Sequence, residues 1–423
     1  MTTDNATTGS PATAVRRETT VFTATAGMPG RFASNFDFQL ALALGTADSG
    51  GSAAGECFAS ISKVPDADLQ AWQRAWTETA KRVEDLAEQC LSRGHTVSAG
   101  EAFLRASTYW RSAGFFLERQ DEDRIPNWKR NRVCFQSGME LLEIRYEAVQ
   151  VPYEAGKFLP GYFVKPDTAM TPRATAIIIG GGDMTAEELY FTTGAAAVRR
   201  GYNAFLVELP GQRGAYYADP ELTFRPDTDV QTSYIVDWAL NRTDVDPERL
   251  SLTGYSMGGL FAPRAVAREK RIKAVIASSL TPSFVPSILS LIGLDPQEPY
   301  GAINDLDSRV NLSSPMARLL LGDVRERFGM LDRPVKDYLD YLAEFDLAGL
   351  EDEITCPLLN IAGAGEGSMV SQAQQFFQRL SCPKTERFIQ EFEGGEAHCA
   401  VNNRSLANQI EFDFLDEVFA TGE

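Results

Sequence analysis

The chain has 423 residues, 44% of them apolar and 23% charged, which suits a globular protein with a large buried core and room for an accessory unit. Its formal charge of -18 excludes the concentrated basic surface that a nucleic-acid partner needs. No apolar run reaches the roughly 18 residues of a membrane span, and the opening MTTDNATTGSPATAVRRE lacks the apolar segment of a secretory signal, so residues 1–20 are expected to be a solvated tail.

The next unit, 21–142, reads as all-helical. Leu69, Trp72, Trp76, Ala80, Val83, Ala87 and Cys90 recur at spacings of three and four, one apolar stripe along a long helix. Ser98-Ala-Gly-Glu101 has the form of a capping box and predicts a second helix through FLRASTYWRSAGFFL. The six cysteines, Cys57, Cys90, Cys134, Cys356, Cys382 and Cys399, include no CxxC pair. That spacing argues against a zinc site or a disulfide framework and for a reducing, cytoplasmic setting.

From residue 143 the rhythm changes. IRYEAVQVPYE and FLPGYFVKP, joined at Ala155-Gly156, predict an antiparallel hairpin. Strands and helices then alternate: ATAIIIG, the helix EELYFTTGAAAVRRG, NAFLVELPG, the helix TDVQTSYIVDWALN, RLSLTG, the helix GLFAPRAVARE and IKAVIASS. An insertion at about 281–350 follows, and PLLNIAG, the helix SQAQQFFQRL, TERFIQEF and LANQIEFDFLDEVF complete the series. Short, wholly apolar strands between helices predict an α/β unit over 143–423, with a mostly parallel sheet covered on both faces.

Gly254-Tyr255-Ser256-Met257-Gly258 lies between a strand and a helix, where a sharp turn would project Ser256 above the sheet as a nucleophile. A serine hydroxyl needs a base titrating near neutrality, and the chain holds two histidines. His95 lies between leading helices, whereas His398 lies after the last strand, where an α/β-hydrolase places its base. The carboxylate that would orient the imidazole belongs after the preceding strand, where Glu366 stands; Asp346 and Glu351, flanking that strand, are the alternatives. Oxyanion donors are expected from the N–H of Met257 and, within Gly180-Gly181-Gly182-Asp183, that of Gly182.

With these residues assembled, the chain resembles the α/β-hydrolase family of 2,6-dihydropseudooxynicotine hydrolase, which includes fungal hydrolases that shorten polyketide chains. The resemblance runs from about residue 36 to the end. It rests on GHTVSAGEAFLRASTYWRSA, GGGDMTAEELYF, GYSMGGLFAPRAVA, AGAGEG and GGEAHCAVNN. It implies a helical cap over the site, a Ser256–Glu366–His398 triad without metal or cofactor, a small-molecule substrate and a homodimer. Gly182 stands where the family often has a larger residue, and Glu366 where it has Asp.

Asp183 and Arg213 are expected near the mouth of the site, or as a loop-bracing ion pair. Tyr109 and Trp110, with Phe115 and Phe116, could line a pocket for a ring-bearing substrate or simply fill the core. The function expected is hydrolysis of an ester or carbon–carbon bond through an acyl-enzyme. An acyltransferase or cyclase using the same triad, and a binding or regulatory protein on the same fold, are the alternatives.

Overall fold

The computed structural model describes residues 35–420, so the expected 1–20 tail and the first part of the helical unit lie outside the described residues. Helices α1 (Phe36–Gly45), α2 (Ala54–Ile61), α3 (Leu69–Ser92), α4 (Thr96–Gly114) and α5 (Arg124–Leu141) lead the fold. Asp68 caps α3 by accepting the Ala71 N–H at 2.9 Å. Trp72, Trp76, Ala80, Val83 and Ala87 form its buried face, as the stripe predicts, and α4 packs against both α3 and α5.

The expected capping box does not form. Gly94, at φ 78°, ends α3 with Gly94 N–H to Leu91 and His95 N–H to Cys90, the bond pair of a Schellman motif. The chain turns so tightly there that α4 begins at Thr96 and Ser98 falls inside its first turn.

Strands β1 (Arg145–Pro152), β2 (Phe158–Lys165), β3 (Arg173–Ile179), β4 (Asn203–Val207), β5 (Val245–Tyr255), β6 (Ala274–Ser278), β7 (Leu358–Gly363) and β8 (Lys384–Ile389) make one sheet of order β1-β2-β4-β3-β5-β6-β7-β8. The β1–β2 hairpin pairs Arg145 with Lys165 through to Pro152 with Phe158, and β2 runs antiparallel to β4. From β4 to β8 every neighbour is parallel. Strands β4, β6 and β7 are buried along their whole length, because helices cover both faces.

Two features depart from the predicted rhythm. The helix expected across EELYFTTGAAAVRRG is interrupted by a π-helical turn at Tyr190–Gly194, and a short helix, Arg213–Ala218, follows β4. The insertion between β6 and β7 folds into helices that include Val285–Leu291, Pro315–Leu319 and Val335–Leu342. Since β3 to β8 run in parallel, the loops after them gather at one rim, where a parallel sheet presents its ligand site.

Candidate active site

Strand β5 ends at Tyr255 and the helix Gly258–Val266 starts three residues on, so the chain must reverse at Ser256. Ser256 takes φ 58°, a left-handed conformation that strains a side-chain-bearing residue. Its N–H bonds the Ser278 carbonyl at 3.0 Å and its carbonyl accepts from Gly259 at 2.7 Å, which hold the turn. A Cβ at Gly254 would fall into the Gly258 carbonyl, and one at Gly258 would lie 2.9 Å from the Gly180 oxygen. Glycine at both positions is therefore a steric requirement of the turn.

The loop after β8 brings His398 to this serine. Its Nε2 lies 2.9 Å from Ser256 Oγ and its Nδ1 lies 2.8 Å from Glu366 Oε2, on the loop after β7. With Nδ1–H donating to the carboxylate, Nε2 is left to accept the serine proton. Glu366 is 1% exposed, and among the described residues no Arg or Lys pairs with it. Its Oε1 instead accepts from Ser279 Oγ at 2.7 Å, Gly363 N–H at 2.9 Å and Cys399 N–H at 3.2 Å. These donors offset the desolvation of the buried charge.

Burial disfavours an imidazolium at His398, but the adjacent Cys399 sulfur and the Glu366 carboxylate outweigh it, and the ring titrates well above the ordinary histidine value. Ser279 (φ 66°), Cys399 (φ 54°) and Ala400 (φ 49°) also adopt left-handed conformations, so strained backbone surrounds the three side chains.

The glycine loop after β3 packs directly on the serine turn. A Cβ at Gly181 would lie 2.8 Å from Ser256 Cβ, and one at Gly182 would strike the Met257 sulfur. The loop carbonyls are turned away by buried donors: Gln212 Nε2 reaches Gly180 O at 2.5 Å, and Arg327 Nη1 donates to Gly182 O and, at 2.8 Å, to Gly211 O. The N–H groups of Gly182 and Met257 find no acceptor among the described residues. Arg327 is itself held by Asp323 at 2.8 Å, and Asp323 also takes Arg213 at 3.2 Å and Arg124 at 2.7 Å.

A cavity opens over Ser256 and His398. Its walls include Phe38 and Leu42 of α1, Met257, and Phe284, Ile288 and Leu320 of the insertion, so its lining is mostly apolar. Asp183 lies on its wall, 3.7 Å from Arg111.

The other expected contacts lie elsewhere. Arg213 is a brace, bonded to Asp323 and to the Phe115 carbonyl at 3.2 Å. Tyr109 and Trp110 are core residues: the Tyr109 hydroxyl reaches Glu56 at 2.7 Å and Trp110 Nε1 reaches Glu84 at 2.8 Å. Arg111 and Arg213 each lie over the Phe115 ring, 4.5 and 5.1 Å from its centroid. Tyr109 and Trp110 do not line the cavity, because α4 lies between α3 and α5, and the aromatic lining comes instead from Phe38 of α1 and from Phe284, Phe328 and Tyr338 of the insertion.

Of the alternative acids, Glu351 pairs with Arg379 at 2.8 Å and Asp346 bridges to Ser283. His95 is an exposed residue at the start of α4. Ser279, Gln212 and Arg327 were not anticipated. Ser279 and Gln212 at least follow strand ends, but Arg327 lies within the insertion and leaves no local signal.

Residues 177–402 match the alpha/beta hydrolase family model. Alpha/beta hydrolase xenA of Xenoacremonium sinensis is 30% identical over 91% of this chain and 96% of its own. The 20-hydroxy-prefusarin hydrolase FUS2 of Gibberella moniliformis is 30% identical over 92% and 98%. The solved structure of 2,6-dihydroxy-pseudo-oxynicotine hydrolase superposes with a TM-score of 0.66 over 90% of this chain and 97% of that one, at 20% identity, which shows a shared fold. The chain belongs to the alpha/beta hydrolase family.

Proposed function

We propose that this protein is a serine hydrolase of small, largely apolar carbonyl compounds, cleaving an ester or a carbon–carbon bond beside the carbonyl. The observation that carries the reading is the hydrogen-bond chain Ser256–His398–Glu366, set at the floor of an apolar cavity beside the N–H groups of Gly182 in the glycine loop and Met257 in the serine turn, which have no acceptor among the described residues. His398 takes the Ser256 proton as Oγ bonds the carbonyl carbon. The N–H groups of Gly182 and Met257 meet the developing oxyanion, where preorganised donors act most strongly.

Collapse breaks the bond to the leaving group, which takes the proton from His398 and departs as an alcohol or, when the broken bond is carbon to carbon, as the neutral compound formed by protonating a stabilised carbanion. Water activated by His398 then releases the acid and restores Ser256. Helices α1–α5 act as a cap, which is supported by the part that α1 takes in the cavity wall.

The experiment is active-site labelling followed by turnover. An alkyl fluorophosphonate should modify Ser256 alone, and Ser256→Ala should lose labelling and turnover of p-nitrophenyl esters while keeping its melting temperature. Product masses that gain one water mark hydrolysis; products isomeric with the substrate would instead mark internal acyl transfer. Undiminished turnover by Ser256→Ala would remove the mechanism.

A further inference from the structure

Buried polar atoms are expected to be paired, so an unpaired one on a cavity wall marks a place where a ligand atom belongs. Among the described residues, two side chains of the cavity wall over Ser256, Tyr338 and Ser287, carry a buried hydroxyl that lacks a hydrogen-bond partner. Other polar side chains on that wall are engaged. Thr281 bonds the Ser279 carbonyl at 2.9 Å, Thr192 the Glu188 carbonyl at 2.9 Å, and Tyr255 the Glu411 carboxylate at 2.7 Å.

Tyr338 is 0% exposed and comes from the insertion helix Val335–Leu342, with its ring against Phe328 at 5.6 Å. Ser287 comes from the insertion helix Val285–Leu291. Phe284, Ile288, Leu291 and Leu342, which flank these two residues in the chain, present only carbon to the cavity.

We infer that Tyr338 and Ser287 form a specificity subsite that receives a second oxygen of the substrate, joined to the reacting carbonyl by an apolar chain. The inference rests on the serine-hydrolase reading and names its substrate class: an apolar acyl compound carrying a further hydroxyl or ketone. Both hydroxyls can donate as well as accept, which suits either group. A carboxylate does not suit the subsite, since the cations that act on Tyr338, Arg327 and Arg325, are already committed to Asp323 and to the carbonyls of Met330 and Arg333.

Ser256 phosphonylation by a homologous series of alkyl, ω-hydroxyalkyl and ω-carboxyalkyl fluorophosphonates tests this. In each case the serine oxygen bonds phosphorus, fluoride leaves and His398 takes the proton. A probe hydroxyl that pairs with either protein hydroxyl should speed inactivation about fivefold to tenfold over the plain alkyl probe at a particular chain length. The carboxyl probe should gain nothing.

In Tyr338→Phe/Ser287→Ala the preference should vanish, with the melting temperature no lower, because neither oxygen has a protein partner to lose. Absence of preference at every length, or its survival in the double variant, would overturn the subsite. A lower melting temperature with both probe rates reduced alike would make the hydroxyls structural and overturn it too. If no probe modifies Ser256, the serine reading itself falls and takes the subsite with it; labelling without preference removes only the subsite.

Discussion

Glu366 carries a buried negative charge with three hydrogen donors on one oxygen and an imidazole on the other, so both oxygens are committed. Glu366→Gln must turn an amide N–H toward one of these donors or toward His398, and should lower stability by about 1–3 kcal/mol. Because it also disturbs the tautomer, kcat should fall by about four orders of magnitude. Steady-state kinetics beside denaturant unfolding separates the two effects.

His398 sets the pH profile. It must be neutral to act as a base, and its raised pKa should place the acid limb of kcat/KM on the alkaline side of 6.5, the ordinary histidine value. The stabilising contact between charged His398 and Glu366 is fully present below that value and is lost as pH rises through the raised one. In Glu366→Gln the limb should move to lower pH, and a limb that stays in place would remove the carboxylate as its cause. At this scale Ser256 and His398 were legible because chemistry restricts their type and topology their place. Ser279 was not, since its contact with Glu366 exists only through its left-handed backbone.

Among the elements, the insertion does more than roof the cavity. Burial alone would raise the Asp323 carboxyl, yet Arg327, Arg213 and Arg124 outweigh it and hold it well below the usual carboxylate range. Asp323→Asn should therefore cost about 3–5 kcal/mol near neutral pH. The depressed pKa means this stabilisation is present above the unfolded carboxylate value of 3.8 and is lost as pH falls through the folded one, so wild type and variant should converge in acid. Melting curves from neutral to acid pH check it.

Arg327→Met leaves the Gly182 carbonyl without its donor, and the neighbouring N–H should lose aim. We expect kcat to fall about tenfold to hundredfold with KM changed much less. A change confined to KM would deny Arg327 any part in positioning the loop. The strands of this region were legible from their apolar runs, whereas the Arg213–Asp323 contact appears only once the insertion folds over the loop after β4.

Across the whole molecule, the leading helices are bonded to the sheet unit through buried charge. Arg111 of α4 grips Glu188 at 2.8 and 3.0 Å and Gln39 of α1 at 2.7 Å, and Arg124 of α5 reaches Asp323 and Glu326. Phe135 of α5 packs on Tyr162 of β2 at 5.0 Å. The helices and the sheet should thus unfold together. Calorimetry should give one transition, shifted down in Arg111→Ala as expected when a buried pair loses one partner, by about 3–5 kcal/mol. Two separated transitions in the wild type would contradict this coupling.

The sequence by itself determined the helical and α/β halves, the parallel sheet, the glycine-flanked serine turn and the loop histidine and glutamate, because period, steric need and side-chain chemistry are local properties of a chain. The tertiary structure alone decided which aromatic residues face the cavity, that α1 and the insertion wall it, and that Arg327 turns the glycine loop. Those outcomes depend on packing between segments more than a hundred residues apart, such as Arg327 and Gly182, and no local pattern encodes such a meeting.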